Sequence, residues 1–175
     1  MKDNVFFKDF NQNFNSVPFD EYKTEDFLPA IKIAIDLCND NINKIINNKE
    51  EPDFENTILA FETSSEELDY ISNIYWHLYG AHSDAEFKKL SDEISPMLAK
   101  HRNSYTLNEG LFEKIKSVYT SKNGCKDEYD LKLTEDFYVY FKRNGAELNK
   151  EDKNTLKDID ATSASLILET WLSNF

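Results

Sequence analysis

The sequence has 175 residues, of which 40% are hydrophobic and 14% aromatic, and its formal net charge is −13 at pH 7. This apolar content excludes a disordered chain. No apolar run reaches the roughly 20 residues of a membrane span. The negative charge argues against nucleic acid and anionic membranes as partners. Four glycines and four prolines are few for a fold rich in tight turns. We therefore expect an all-α, soluble, cytoplasmic protein of about six antiparallel helices.

The first 22 residues are predicted to form an irregular aromatic arm that packs on a helical domain of residues 23–175. The aromatic residues of this segment have no helical period, and its Asn and Ser side chains compete with helical hydrogen bonds. Pro18 also favours an extended conformation at Val17. We assign the arm a packing role without chemistry.

The first helix is predicted to begin at Thr24, whose hydroxyl can cap it, and acidic residues follow in the first turn. Apolar residues then recur at steps of three and four up to Ile46, which indicates one buried stripe. Cys38 lies within that stripe, so we expect a buried structural thiol and not a nucleophile.

The second helix is predicted from Asp53 to Gly80. The segment from Glu50 to Phe87 contains ten acidic residues and neither Lys nor Arg, which is typical of a solvated helix face or of a surface that recognises a basic partner. Four aromatic residues crowd the end of this helix and cannot all share one face, so some are expected in the core and some along a groove: Tyr70, Tyr75, Trp76 and Tyr79.

Four more helices are predicted in the second half of the chain. The third begins near Ser83 and contains Pro96, and the fourth is capped by Asn108. Asn123-Gly124 forms a turn before the fifth, and a capping pair, Asn149 with Asp152, opens the sixth. The predicted core is drawn from the helical stripes: Phe27, Ile31, Ile35, Phe54, Ile58, Phe61, Phe87, Leu90, Ile94, Phe137 and Phe141.

No catalytic, cofactor-binding or metal-binding residue can be assigned from the sequence. His77 and His82 are five residues apart and lack the H-E-x-x-H context of a zinc helix, and His101 falls on an apolar stripe, where a hydrogen-bonded core histidine is expected. There is no glycine-rich phosphate loop, nucleophile elbow or Cys/His cluster.

Several strings of the sequence, taken together and in order, resemble the amino-terminal part of the thimet-oligopeptidase-like zinc metallopeptidases. This family includes oligopeptidase A, neurolysin and dipeptidyl carboxypeptidase, and the arm with Phe6-Phe7 looks closest to the dipeptidyl carboxypeptidase branch. The strings are Phe19-Asp20, Thr24-Glu25-Asp26-Phe27-Leu28-Pro29-Ala30, Pro52-Asp53-Phe54-Glu55-Asn56-Thr57-Ile58, Glu93-Ile94-Ser95-Pro96, Leu107-Asn108, Leu111-Phe112, Ile115-Lys116 and Phe141-Lys142-Arg143-Asn144-Gly145-Ala146.

The resemblance implies the amino-terminal helical part of a neurolysin-like fold, which forms a wall or lid of a deep channel for short peptides. In that family the zinc ligands and the general base lie further along the chain, in a carboxy-terminal catalytic part. The resemblance therefore implies a zinc-dependent peptidase parent, with this chain shaping substrate access and inactive alone. The alternative is a free-standing acidic helical module that binds a basic protein or peptide.

The predicted sixth helix is apolar on several faces towards its end, which is typical of a helix buried on all sides. We expect the missing catalytic part to cover this surface in the parent protein. In the isolated chain we expect the helix to fold back onto the body or to self-associate through a patch of apolar residues: Leu168, Trp171, Leu172 and Phe175.

Overall fold

The computed structural model describes residues 4–8, 17–81 and 84–159, and these residues form helices and connecting turns with no β-strand among them. The predicted all-α fold is therefore confirmed. The helices are α1 (Thr24–Asn47), α2 (Ala60–Glu62), α3 (Glu66–Ala81), α4 (Ala85–Lys89), α5 (Ser91–Thr106), α6 (Glu109–Ser121), α7 (Glu128–Arg143) and α8, which is described over residues 150–159.

The chain divides into two compact units. The first unit contains Met1–Cys38 and Ser65–Ile94, and the second contains Asn39–Ser64 and Ser95–Phe175. Both α1 and α5 therefore contribute residues to each unit. None of the described helices is both long enough and apolar enough to span a membrane.

The core of the first unit is an aromatic cluster around α1. The ring of Phe27, 1% exposed, packs edge-on against Phe87 at 5.3 Å between centroids and lies 5.6 Å from Tyr75. Phe6, in a short 3₁₀ turn at Val5–Phe7, adds an edge contact with Phe27 at 4.9 Å. Cys38 is 2% exposed on the same helix, as predicted for a structural thiol.

The predicted second helix is interrupted. Asp53 caps it as expected, since the Asp53 carboxylate accepts from the Asn56 N–H at 2.8 Å and the Asn56 amide accepts from the Asp53 N–H at 3.1 Å. The first turn, Phe54–Leu59, is π-helical, and a 3₁₀ turn at Thr63–Ser65 separates α2 from α3. The hydroxyls of Thr63 and Ser64 donate to the carbonyls of Leu59 and Phe61, and such side-chain bonds compete with a regular helix.

The predicted third helix is also two helices. Asp84 caps α4 by accepting from the Phe87 N–H at 2.8 Å, and Leu90 makes the turn to α5. The Ser91 hydroxyl donates to the Lys88 carbonyl at 2.7 Å at this break. Leu90 is consequently only half-buried, which corrects its assignment to the core.

The core of the second unit lies where α6, α7 and the π-helical turn pack together. Phe61 contacts Phe137 and Phe141 edge-on, with centroids 5.0 and 5.4 Å apart. Phe141 is fully buried, whereas Phe137 is half-buried and was wrongly placed in the interior. The other predicted core residues are buried: Ile31, Ile35, Phe54, Ile58, Phe61, Phe87 and Ile94.

The Asn149–Asp152 pair opens α8 as predicted. The Asn149 side-chain oxygen accepts from the Asp152 N–H at 2.9 Å, and its amide nitrogen donates to the Asp152 carboxylate at 2.7 Å. The apolar residues that the sequence predicts to form a patch at the end of the sixth helix lie outside the described residues, as do His82 and Ser83: Leu168, Trp171, Leu172 and Phe175.

Candidate functional site

Two of the three histidines that were considered as metal ligands from the sequence, His77 and His101, have other hydrogen-bond partners. His101 is 7% exposed, its Nδ1 lies 3.1 Å from the side-chain oxygen of Asn39, and Tyr105 packs edge-on against its ring. The prediction of a hydrogen-bonded core histidine is thus confirmed. His77 is exposed, and its Nδ1 lies 2.7 Å from the carbonyl oxygen of Asn73 one helical turn away.

A zinc ion does not fit these residues. Within residues 4–8, 17–81 and 84–159, no three His, Cys, Asp or Glu side chains lie close enough together to hold a metal ion. A catalytic zinc needs three protein ligands and an open position. The two cysteines form no disulfide, and Cys125 Sγ lies 3.8 Å from the Thr134 hydroxyl.

The first unit contains a cavity of about 650 Å³ with aromatic walls, which we name the aromatic pocket. Its ring-bearing lining residues come from the 17–22 segment, α1, α3 and α4: Phe19, Tyr22, Phe27, Tyr79 and Phe87. Asp84 and Lys88 also line it, so the pocket has a negatively charged and a positively charged side chain in addition to its aromatic walls.

Local backbone structure places the rings of this pocket. The Glu21 N–H donates to the Pro18 carbonyl at 3.0 Å, and this turn leaves Phe19 50% exposed beside the pocket. The hydrogen bond that the Phe87 N–H donates to the Asp84 carboxylate fixes the start of α4 and therefore the position of Phe87. Trp76, 40% exposed, packs edge-on against Tyr79 at 5.5 Å.

Two tyrosines of the first unit have raised pKa values. Burial and the hydroxyl–hydroxyl contact with Tyr70 at 3.1 Å raise the pKa of Tyr22 well above its ordinary value. Burial, followed by the negative charges that Tyr79 and Asp92 can carry, raises the pKa of Tyr75 to about 12. The Tyr75 hydroxyl donates to the Phe87 carbonyl at 3.3 Å. Both phenols are therefore neutral near pH 7, and both take part in hydrogen bonds.

The aromatic pocket can bind apolar or aromatic groups. Aromatic rings prefer offset or edge-on partners, and pockets of a few hundred cubic ångströms with a small number of polar groups are the usual form of ligand sites. These features suit the pocket to the binding of a small apolar or aromatic group.

The acidic segment is largely exposed, and several of its members already have structural partners. Of the ten acidic residues between Glu50 and Phe87, all except Asp53 are exposed. Asp53 and Asp84 cap helices, and Glu55 pairs with Lys126 at 2.7 Å. Glu66 and Glu67 lie in the first turn of α3, where negative charge suits the helix dipole.

Sequence reasoning identified part of this site. The crowded aromatic residues divide as expected, since Tyr75 is fully buried whereas Tyr79 lines the aromatic pocket. The contribution of Phe19 was missed. Its position between Pro18 and the acidic Asp20 signalled a turn, but no sequence pattern indicates which helices that turn contacts.

Comparisons with known proteins identify relatives of this chain. No protein-family model matches it. Over 150 residues it is 31% identical to a dipeptidyl carboxypeptidase of Salmonella typhimurium, and over 149 residues it is 30% identical to one of Escherichia coli. Each match covers 85% of this chain and 22% of the relative. The chain is therefore related to one segment of the dipeptidyl carboxypeptidases, which confirms the resemblance that its sequence motifs predicted.

Proposed function

We propose that this chain is the amino-terminal, substrate-admitting part of a zinc-dependent oligopeptidase of the dipeptidyl carboxypeptidase type. The observation that carries the proposal is the similarity to two dipeptidyl carboxypeptidases over 85% of the chain but only 22% of their length. In this proposal the remaining part of the protein supplies the zinc site and the general base, and the present segment is inactive alone.

The site geometry supports a role in binding. The aromatic pocket has walls for apolar side chains, and Asp84 and Lys88 can pair with charged groups of a short peptide. The exposed acidic residues of α3 add a negative surface that favours the approach of basic peptides. Among the described residues, no three His, Cys, Asp or Glu side chains form a group that could hold a metal ion.

A chimera tests this proposal. The segment of the Escherichia coli dipeptidyl carboxypeptidase that matches this chain is replaced by the chain itself, and cleavage of short fluorogenic peptides is measured beside a variant from which that segment is deleted. We expect the chimera to bind zinc and to cleave peptides. We expect the deletion variant to lose either its selectivity for short peptides or its folded structure. A folded, zinc-loaded chimera without peptide cleavage contradicts the proposal.

Substitutions within the chimera test the pocket. Phe19→Ala with Tyr79→Ala removes two aromatic walls, so the KM for peptides with large apolar side chains is expected to rise, whereas kcat is expected to change little because the proposal assigns both residues to substrate binding and not to the reaction. Tyr129→Ala, at a tyrosine that is 76% exposed outside the pocket, is the matched control. Equal effects of the two changes argue against peptide binding in the pocket.

A second candidate function is an acidic module that binds a basic partner. The exposed carboxylates of Glu66, Glu67 and Asp69 on α3, a helix without Lys or Arg, favour it. Titration of the chain with an arginine-rich peptide distinguishes the two functions. If this candidate is correct, Glu66→Gln/Glu67→Gln weakens binding more than the equally charged control Glu113→Gln/Glu135→Gln.

We also propose a cytoplasmic location. Cys38 is buried within α1 and forms no disulfide with Cys125, as expected in a reducing compartment. Localisation of a tagged chain by fractionation tests this proposal, and recovery from an extracytoplasmic fraction contradicts it.

A further inference from the structure

The second unit contains a basic cavity that the proposed function does not use. Its volume is about 510 Å³, and it lies between the start of α6 and one side of α8. Three lysines line it at steps of three and four along α8: Lys150, Lys153 and Lys157. The same segment of α8 also contains Glu151, Asp152 and Asp158, but the described charged residues that line the cavity are three lysines and one acidic residue, Glu109. We name this cavity the lysine pocket.

Lys153 is the buried member of this group. Its side chain is 7% exposed, and its Nζ lies 3.6 Å from Oε1 of Glu109, whose own side chain is 64% exposed. Charge-assisted hydrogen bonds are shorter, about 2.7–2.9 Å, so the carboxylate compensates the buried ammonium only in part. Burying a charge is costly without close pairing, and a bound anion would supply that pairing.

The beginning of α6 forms another part of the wall of this cavity. Asn108 caps the helix by accepting from the Leu111 N–H at 2.9 Å, and the Phe112 N–H bonds to the Asn108 carbonyl at 3.1 Å. Glu109 and Gly110 precede them in the first turn, and both residues line the cavity. The N–H groups at the start of a 13-residue helix point along the positive end of its dipole.

We infer that the lysine pocket binds a dianionic phosphate group carried by a small molecule. Three ammonium groups and the Glu109 carboxylate leave two positive charges, which a phosphate dianion neutralises and a single carboxylate does not. A cavity of about 510 Å³ exceeds the volume of phosphate alone, so room remains for an organic group beside Asn154. This site lies within the second unit and is independent of peptide binding.

Titration calorimetry of the full chain at constant ionic strength tests this inference. The probes are inorganic phosphate and ribose 5-phosphate, and the amide resonance of Gly110 is followed in parallel. We expect saturable one-to-one binding of the ester that shifts the Gly110 resonance. Absence of saturation, or saturation that leaves Gly110 unmoved, overturns the inference. Equal affinity for the two probes overturns the assignment of an organic ligand.

Two double variants distinguish binding in the lysine pocket from non-specific attraction of an anion to lysines elsewhere on the protein. Lys150→Gln/Lys157→Gln removes the two exposed lysines of the pocket and retains Lys153, so the fold is expected to survive. We expect this variant to bind the ester at least about tenfold more weakly, which corresponds to about 1.4 kcal/mol. The control Lys32→Gln/Lys49→Gln has the same net charge, and its affinity is expected to stay within about twofold of the original. Equal weakening in both variants overturns the inference.

Discussion

The backbone N–H of Phe54 donates a hydrogen bond to the carbonyl oxygen of Asn123 at 2.9 Å. This bond joins the π-helical turn that opens the interrupted second helix to the turn between α6 and α7. The amide of Asn123 also donates to the carbonyl of Pro52 at 3.2 Å, so the two turns are held by two bonds between residues about 70 positions apart.

Gly124 makes this junction possible, and we predict that Gly124→Ala destabilises the protein by about 1–3 kcal/mol. Its φ is +76°, and a Cβ there would lie 3.0 Å from the Phe54 nitrogen. Urea unfolding monitored by circular dichroism measures the change. Gly80→Ala is the control, because a Cβ at Gly80 meets nothing within 4 Å and alanine favours a helix. Equal stability of Gly124→Ala and the original chain contradicts this account.

Removal of the Phe61 ring is predicted to lower the free energy of unfolding by about 3–5 kcal/mol. Phe61 is 8% exposed and contacts three other rings, those of Tyr105, Phe137 and Phe141. The comparison is Phe19→Ala, at a ring that is 50% exposed and whose loss we expect to cost less than about 1 kcal/mol. A loss below about 1 kcal/mol for Phe61→Ala shows that the side chain is not part of the core.

Stability is predicted to fall at alkaline pH through Tyr75. The folded chain raises the pKa of Tyr75 from its ordinary value of 10 to about 12, because burial disfavours the phenolate. The contribution of the neutral phenol to the free energy of unfolding is complete below pH 10 and is lost as the pH rises from 10 to about 12.

Tyr75→Phe isolates this effect. Below pH 10 it is expected to cost about 0.5–1.5 kcal/mol through loss of the hydrogen bond to Phe87. Between pH 10 and 12 the original chain loses stability that this variant keeps, so the difference between them shrinks and then reverses, because only the original can ionise at this position. Tyr129→Phe, at an exposed tyrosine, should follow the original chain throughout. Parallel curves for Tyr75→Phe and the original chain contradict the raised pKa.

From the sequence we predict that the apolar residues at the end of the predicted sixth helix cause self-association, unless this segment folds back onto the body. Light scattering of the chain should detect dimers or larger species, and Trp171→Glu/Leu172→Glu should restore the monomer mass because charge opposes burial of that surface. Identical monomer masses for both proteins, with Trp171 accessible to a fluorescence quencher, contradict the prediction.

The helices were predictable because their patterns are local. Capping residues such as Asn108 and the apolar steps along α1 determine helix positions from neighbouring residues alone. The breaks within the second and third predicted helices could not be predicted, because the apolar stripe of each helix continues across the break, at Thr63–Ser65 and at Leu90. In the structure, the hydroxyls of Thr63, Ser64 and Ser91 donate to backbone carbonyls at these breaks and interrupt the regular helical hydrogen bonding.

The candidate sites were harder to predict than the helices. The aromatic pocket brings Phe19, Phe27 and Phe87 together from three separate segments, and helical periodicity indicates which face is apolar but not which faces meet. The lysine pocket was missed for a related reason. In the sequence, the spacing of Lys150, Lys153 and Lys157 is typical of a solvent-exposed helix face. Only the folded structure shows that the start of α6 lies beside them.

The central claim is tested most directly by assaying the chain with and without the catalytic part that it is proposed to serve. The purified chain is dialysed with zinc, its bound metal is measured, and its cleavage of short quenched fluorescent peptides is compared with that of the Escherichia coli chimera. We predict no stoichiometric zinc and no cleavage for the chain alone, and chelator-sensitive cleavage by the chimera. Stoichiometric zinc together with chelator-sensitive cleavage by the chain alone would contradict the claim.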